Sequence, residues 1–119
     1  MSDTPGVKYD DDKLKYHLFD VYALAWGVAS LTFGAVKYDE ENWRKVDNLN
    51  NRYYASLMRH LEAWRSGEEW DPESGLHHLS GVMFAAMCLT ASNAPRDLKM
   101  IAQKTKEAID RWRSQKSKT

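Results

Sequence analysis

Apolar residues fall into four stretches along the chain, separated by polar segments marked by glycine or proline. From about His17 to Val36, Leu18, Val21, Tyr22, Leu24, Ala25, Val28, Ala29 and Leu31 leave almost no polar face, which predicts a helix covered on most sides. Gly27 and Gly34 within it permit close packing. Residues 37–48 are polar apart from an anchoring Trp43. From about Asn50 to Ser66, Tyr53, Leu57, Leu61 and Trp64 recur at i, i+4, i+8 and i+11, with Tyr54 and Met58 beside them, and Gly67 supplies a stop. Asp71 reads as the N-cap of a third helix, with Pro72 at its first position and Glu73 at the positive end of its dipole. That helix is apolar nearly all round from Leu76 to Ala91. A fourth begins near Pro95, where Leu98, Ile101, Ala102, Thr105, Ala108, Ile109 and Trp112 form one stripe.

No strand-like alternation, repeat or low-complexity tract interrupts this pattern. It predicts an all-α, four-helix bundle-like protomer over residues 16–113, between an extended arm (1–15) and a basic tail (114–119). Two all-apolar helices exceed what one small bundle buries, so a homo-oligomer is expected.

Composition narrows the partners. The 119 residues suit one domain, and a hydrophobic fraction of 43% is enough for a core. Lys+Arg and Asp+Glu both number 17, so no basic excess points to a nucleic acid, although a local basic cluster can hold one phosphorylated small molecule. Cys88, the single cysteine, lies in an apolar run and reads as a buried thiol in a reducing compartment. The start is polar and acidic, unlike a signal peptide, and no apolar run spans a bilayer. The expected location is the cytoplasm, with no membrane partner.

Three polar groups carry candidate chemistry. In the first, Lys37, Arg44 and Lys45 can meet phosphate oxygens, and Trp43 either stacks on a base or anchors its loop. In the second, Arg52 and Arg59 share a face of the second helix. Glu62, three residues after Arg59, offers an ion pair instead, and His60 sits at the edge of the apolar stripe. The third holds Glu68, Asp71, Glu73, His77 and His78, in which Glu73 and His77 are one helical turn apart. Carboxylates with imidazole can hold Mg²⁺ or Mn²⁺, while capping alone explains Asp71 and Glu73 equally well. His77 and His78 point about 100° apart on a helix, so one of them at most is expected at a shared site.

Taken together, Lys8-Tyr9-Asp10, Gly34-Ala35-x-Lys37-Tyr38, Asn42-Trp43-Arg44-Lys45, Arg52-Tyr53, Arg59-His60-Leu61, Gly67-Glu68, Asp71-x-Glu73-Ser74-Gly75 and His78-Leu79 resemble a family of small bacteriophage proteins. The family is the N-terminal domain of dATP/dGTP diphosphohydrolase, MazZ-type and related to MazG, and the likeness covers roughly residues 8–90. It implies a MazG-like, oligomeric all-α fold that cleaves a nucleoside triphosphate to monophosphate and pyrophosphate with Mg²⁺ or Mn²⁺. The chain departs from the MazG pattern EExxE, because Glu40-Glu41 is followed by Arg44 in place of a third carboxylate. The family's second histidine, one turn past His78, falls near Gly81.

The expected function is therefore a nucleotide-binding phage protein, a metal-dependent pyrophosphohydrolase acting on a purine deoxynucleoside triphosphate. Glu73 and His60 are the catalytic candidates, and Lys37, Trp43, Arg44, Arg52 and Arg59 the nucleotide-binding ones. Asp71, Glu73 and His78 are the metal candidates. The competing expectation is a non-catalytic anti-defence sponge that sequesters a nucleotide immune signal in the host cytoplasm.

Overall fold

The computed structural model describes residues 4–10 and 12–117. The expected arm and basic tail fall partly on residues 1–3, 11, 118 and 119, which lie outside the described residues. Among the described residues there are four α-helices, two short 3-10 turns and no strand: α1 (Val21–Lys37), α2 (Leu49–Arg65), α3 (His78–Asn93) and α4 (Leu98–Lys116). The chain is all-α, as its apolar pattern predicts.

Two compact units divide it, one comprising Met1–Tyr16 with Pro95–Thr119 and the other His17–Ala94. In the first unit, Asp97 caps α4 by accepting from the Met100 N–H at 3.1 Å. Lys106 and Asp110 pair at 3.0 Å one turn apart along α4.

In the second unit, α3 packs against both α1 and α2. Asp20 starts α1 by accepting from the Ala23 N–H at 2.9 Å. Ala85 and Cys88 of α3 are fully buried. α1 and α3 approach closely at Gly27, where an added Cβ would reach ordinary contact with Met83 Cβ at 3.4 Å. Between them the buried Ser80 hydroxyl donates to the Trp26 carbonyl, and the Ser30 hydroxyl reaches Ser80 Oγ at 2.6 Å. On the other side, Tyr53 meets Phe84 edge-on at 5.7 Å. The Asn50 and Asn93 side-chain amides exchange two hydrogen bonds of 3.0 and 2.7 Å.

Ala85→Leu should therefore destabilise this unit. Three added carbons find no room at a fully buried position, at a cost of about 1–3 kcal/mol. Thermal melting followed by circular dichroism checks this as a drop of several degrees in Tm.

The third helix starts later than the sequence suggests. Asp71 does not cap it; His77 does, with Nδ1 accepting from the Leu79 N–H at 3.0 Å. The cause is competition from a local turn. Asp71 accepts the Ser74 hydroxyl at 2.9 Å and the Glu73 N–H at 3.3 Å, and Gly75 takes a φ of +75°. Short polar side chains that bond nearby backbone hold it in turns.

α2 ends in a Schellman arrangement. Gly67, at a φ of +106°, donates its N–H to the Trp64 carbonyl, and the Glu68 N–H reaches back to the Ala63 carbonyl at 2.9 Å. The chain then turns toward α3, where the Glu69 carbonyl accepts the His78 N–H at 3.0 Å. Trp70 packs on Trp26 and His77, with ring centroids 6.2 and 5.5 Å away, which ties this segment to α1.

Much of α1 remains uncovered, with Val21, Tyr22, Leu24 and Val36 exposed. No helix among the described residues is long and apolar enough to cross a membrane.

Candidate functional site

The His17–Ala94 unit carries a half-open cavity of about 620 Å³, a size suited to a small organic ligand. Its wall is formed by the end of α1, the 3-10 turn Asn42–Lys45, one face of α2, the 71–77 turn and the start of α3. Lys37, Trp43, Arg52, Arg59, His60, Asp71 and Glu73 all line it, whereas Arg44 and His78 do not. Two non-glycine residues in the connection over the cavity, Glu41 and Asn48, have left-handed backbone at φ 61° and 50°. Strained backbone of this kind clusters where a fold positions functional groups.

The cations differ in how far they are engaged. Lys37 is ion-paired with Glu73, and that contact holds its ammonium above the usual lysine range. Arg52 pairs with Asp47 at 2.9 Å in a solvent-facing bridge. Arg44 lies over the Trp43 ring at 4.3 Å and pairs loosely with Glu41 at 3.4 Å, which buries Trp43 to 8% exposure. Arg59 is exposed and has no ion pair or hydrogen bond among the described residues; Glu62 pairs with Arg65 instead. It is the cation free to meet an incoming anion.

The histidines are arranged in series. His60 Nδ1 lies 2.9 Å from His78 Nδ1, and His78 Nε2 lies 2.7 Å from Glu68 Oε1. His78 is buried, and His60 presents its ring to the cavity. His60 rests flat against Gly81, where an added Cβ would come within 2.5 Å of Cδ2 and 2.7 Å of Nε2. Burial pushes the His60 imidazolium down, with His78 and Arg59 acting in the same direction and Asp71 opposing. Burial also raises the Asp71 carboxyl, but Ser74, the Glu73 N–H and the two imidazoles outweigh it and hold that group below its usual range. His77, beside this series, both caps α3 and meets Trp70 edge-on. Both adjacent histidines are thus engaged, because one precedes the helix and the other opens it.

Asp71, Glu73 and His78 do not fit a resident Mg²⁺ or Mn²⁺ as folded. The 71–77 segment is a turn, so the helical spacing between Glu73 and His77 does not exist. Asp71 holds Ser74, Glu73 holds Lys37, and His78 is occupied at both nitrogens. Hard cations require several converging oxygens, and no three His, Cys, Asp or Glu side chains converge among the described residues.

Glu68 is the residue that sequence reasoning leaves without a role. Its signal is Gly67, since a helix stop immediately before a carboxylate carries that carboxylate toward the next helix.

A family model described as dATP/dGTP diphosphohydrolase, N-terminal, matches residues 3–100. A curated dATP/dGTP diphosphohydrolase of Salmonella phage PMBT28 is 31% identical over 85 residues, covering 66% of this chain and 28% of that protein. The match thus spans little more than a quarter of the relative's length. No solved structure matches the chain.

Proposed function

From the premise that this chain belongs to the dATP/dGTP diphosphohydrolase N-terminal family, we propose that it is a phage protein that binds a purine deoxynucleoside triphosphate in the cavity and hydrolyses it to monophosphate and pyrophosphate. The observation that carries this reading is the convergence of Lys37, Arg52, Arg59, Trp43 and His60 on one cavity of about 620 Å³. The cations take the phosphate oxygens, with Arg59 contributing a bidentate fork. Trp43, whose ring carries Arg44, contacts the base. His60 receives a proton from the attacking water. The water oxygen bonds to the α-phosphorus, the bridge to the β-phosphorus breaks, and pyrophosphate leaves. Mg²⁺ or Mn²⁺ enters this reading only as a companion of the substrate's own phosphates, since Asp71, Glu73 and His78 as folded do not form a cation site. The exposed apolar face of α1 is the surface for a homo-oligomer, and the host cytoplasm is the expected location.

Thermal shift and turnover with a panel of nucleotides, with and without Mn²⁺, test the assignment. A ligand of the native state raises Tm by mass action. Arg59→Ala should weaken binding by about 1–3 kcal/mol through loss of a charge-assisted contact. Glu73→Gln should keep or tighten binding, because it releases Lys37 from its partner for the substrate's phosphates. Binding with no turnover of any deoxynucleoside triphosphate would eliminate the hydrolase and leave sequestration. Light scattering should show more than one copy at micromolar concentration, and Leu24→Asp should reduce that mass; a monomeric wild type would remove the oligomer.

A further inference from the structure

We propose that Glu68, His78 and His60 form a hydrogen-bond relay in which Glu68 and His78, both positioning residues, fix the His60 ring as its Nδ1–H tautomer and leave a bare Nε2 facing the cavity. This rests on reading the cavity as a hydrolytic site. A carboxylate accepts only, so the proton between Glu68 and His78 sits on His78 Nε2. His78 is taken as neutral, and a neutral imidazole with one nitrogen donating has the other as an acceptor, so His78 Nδ1 carries a lone pair. The proton in the 2.9 Å bridge must then come from His60 Nδ1. His60 Nε2 is left unprotonated.

The surroundings agree with that placement. Nε2 of His60 has no hydrogen-bond partner among the described residues. No buried side-chain nitrogen or oxygen among them lacks a partner, so Nε2 is open, and the ring lines the cavity. Its remaining face lies on Gly81, which has no side chain to displace it. The charged groups facing it are Arg59 of α2 and Asp71 and Glu73 of the turn, and His78 is the α3 group.

In the hydrolytic step, the proton lost by water ends on His60 Nε2. The resulting imidazolium keeps its Nδ1–H bond to His78, and the Glu68 carboxylate offsets the charge from the far side of His78. The proton then passes to the pyrophosphate product or to solvent, which returns the relay to its starting state. No oxidant or further reactant is needed. Glu68 and His78 do not touch the substrate.

Long-range proton–nitrogen NMR on histidine-labelled protein reads the tautomer of each ring without any substrate. Wild-type His60 should appear as Nδ1–H with Nε2 bare; Nε2–H instead overturns the relay, whatever the activity. Glu68→Gln keeps an acceptor for His78 and removes only the charge. It should preserve the His60 tautomer, lower kcat about tenfold or more, and leave KM within about twofold. An unchanged kcat overturns the role of Glu68. His78→Phe removes the acceptor and should return His60 to the mixed tautomers of a free ring; a tautomer retained without His78 also overturns the proposal. A wild type with the expected tautomer and no turnover refutes the hydrolase reading alone, so the two failures are distinguishable.

Discussion

Gly81→Ala should lower turnover about 10²-fold while lowering the melting temperature by only a few degrees. A methyl at this position would lie 2.5 Å from His60 Cδ2 and 2.7 Å from Nε2, well inside contact distance. The backbone of α3 is held by its neighbours, so the ring has to move. His60 is tethered to His78 at 2.9 Å, and a shift of a few tenths of an ångström or more lengthens that bond and turns Nε2 from its direction. A positioned base contributes about 10²–10⁴-fold, and its loss sets the scale of the effect. Stability responds differently. Alanine favours a helix interior over glycine by about 0.8–1.0 kcal/mol, which offsets part of the about 1–3 kcal/mol that the displaced ring costs. Steady-state kinetics beside a melting curve separates the two consequences. Activity within twofold of wild type would show that the close fit of His60 on Gly81 has no part in turnover.

Cys88 should be nearly inert in the folded protein. Burial pushes its thiol up from 9.0 to about 12, and the side chain has no exposed surface. Only the thiolate attacks a disulfide reagent. Near pH 8 a shift from 9.0 to about 12 lowers the thiolate fraction about 10³-fold, before any steric protection is counted. Labelling with Ellman's reagent should therefore proceed at the rate of unfolding, and saturating denaturant should release it at once. The pH dependence has a definite sign. The folded thiol keeps its proton more tightly than the unfolded one, so this contribution to stability is whole below pH 9 and is lost as pH rises toward 12. Rapid labelling under native conditions would mean that α3 is not packed at Cys88.

The helices were legible because apolar periodicity and stop signals are local. Gly67 marks the end of α2 in the sequence, and its left-handed backbone ends it in the structure. The beginning of α3 was misread at Asp71, where two local roles compete for one side chain. N-cap and turn chemistry draw on the same short carboxylate, and Ser74 with Gly75 decided for the turn. The cavity could be anticipated from polar residues grouped near helix ends, because short connections keep them adjacent. The relay could not. Spacing of His60, Glu68 and His78 reveals neither which ring nitrogens meet nor that His78 faces inward while His77 turns to Trp70. Nor does the sequence distinguish Arg59, left with no partner among the described residues, from Arg52, held by Asp47.

The two hydrogen bonds from Glu68 to His60 span only 10 and 18 positions of chain. Closing a loop of that length carries little entropic cost, and each doubling adds only about 0.6 kcal/mol. Both bonds lie within the helical hairpin of α2 and α3, whereas Lys37 and Trp43 come from the segment before it. During folding, the end that holds Glu68, His78 and His60 should therefore become native with that hairpin, and the wall that carries Lys37 and Trp43 should close over it afterwards. Pulsed hydrogen exchange would show this order as earlier protection of α2 and α3 than of α1.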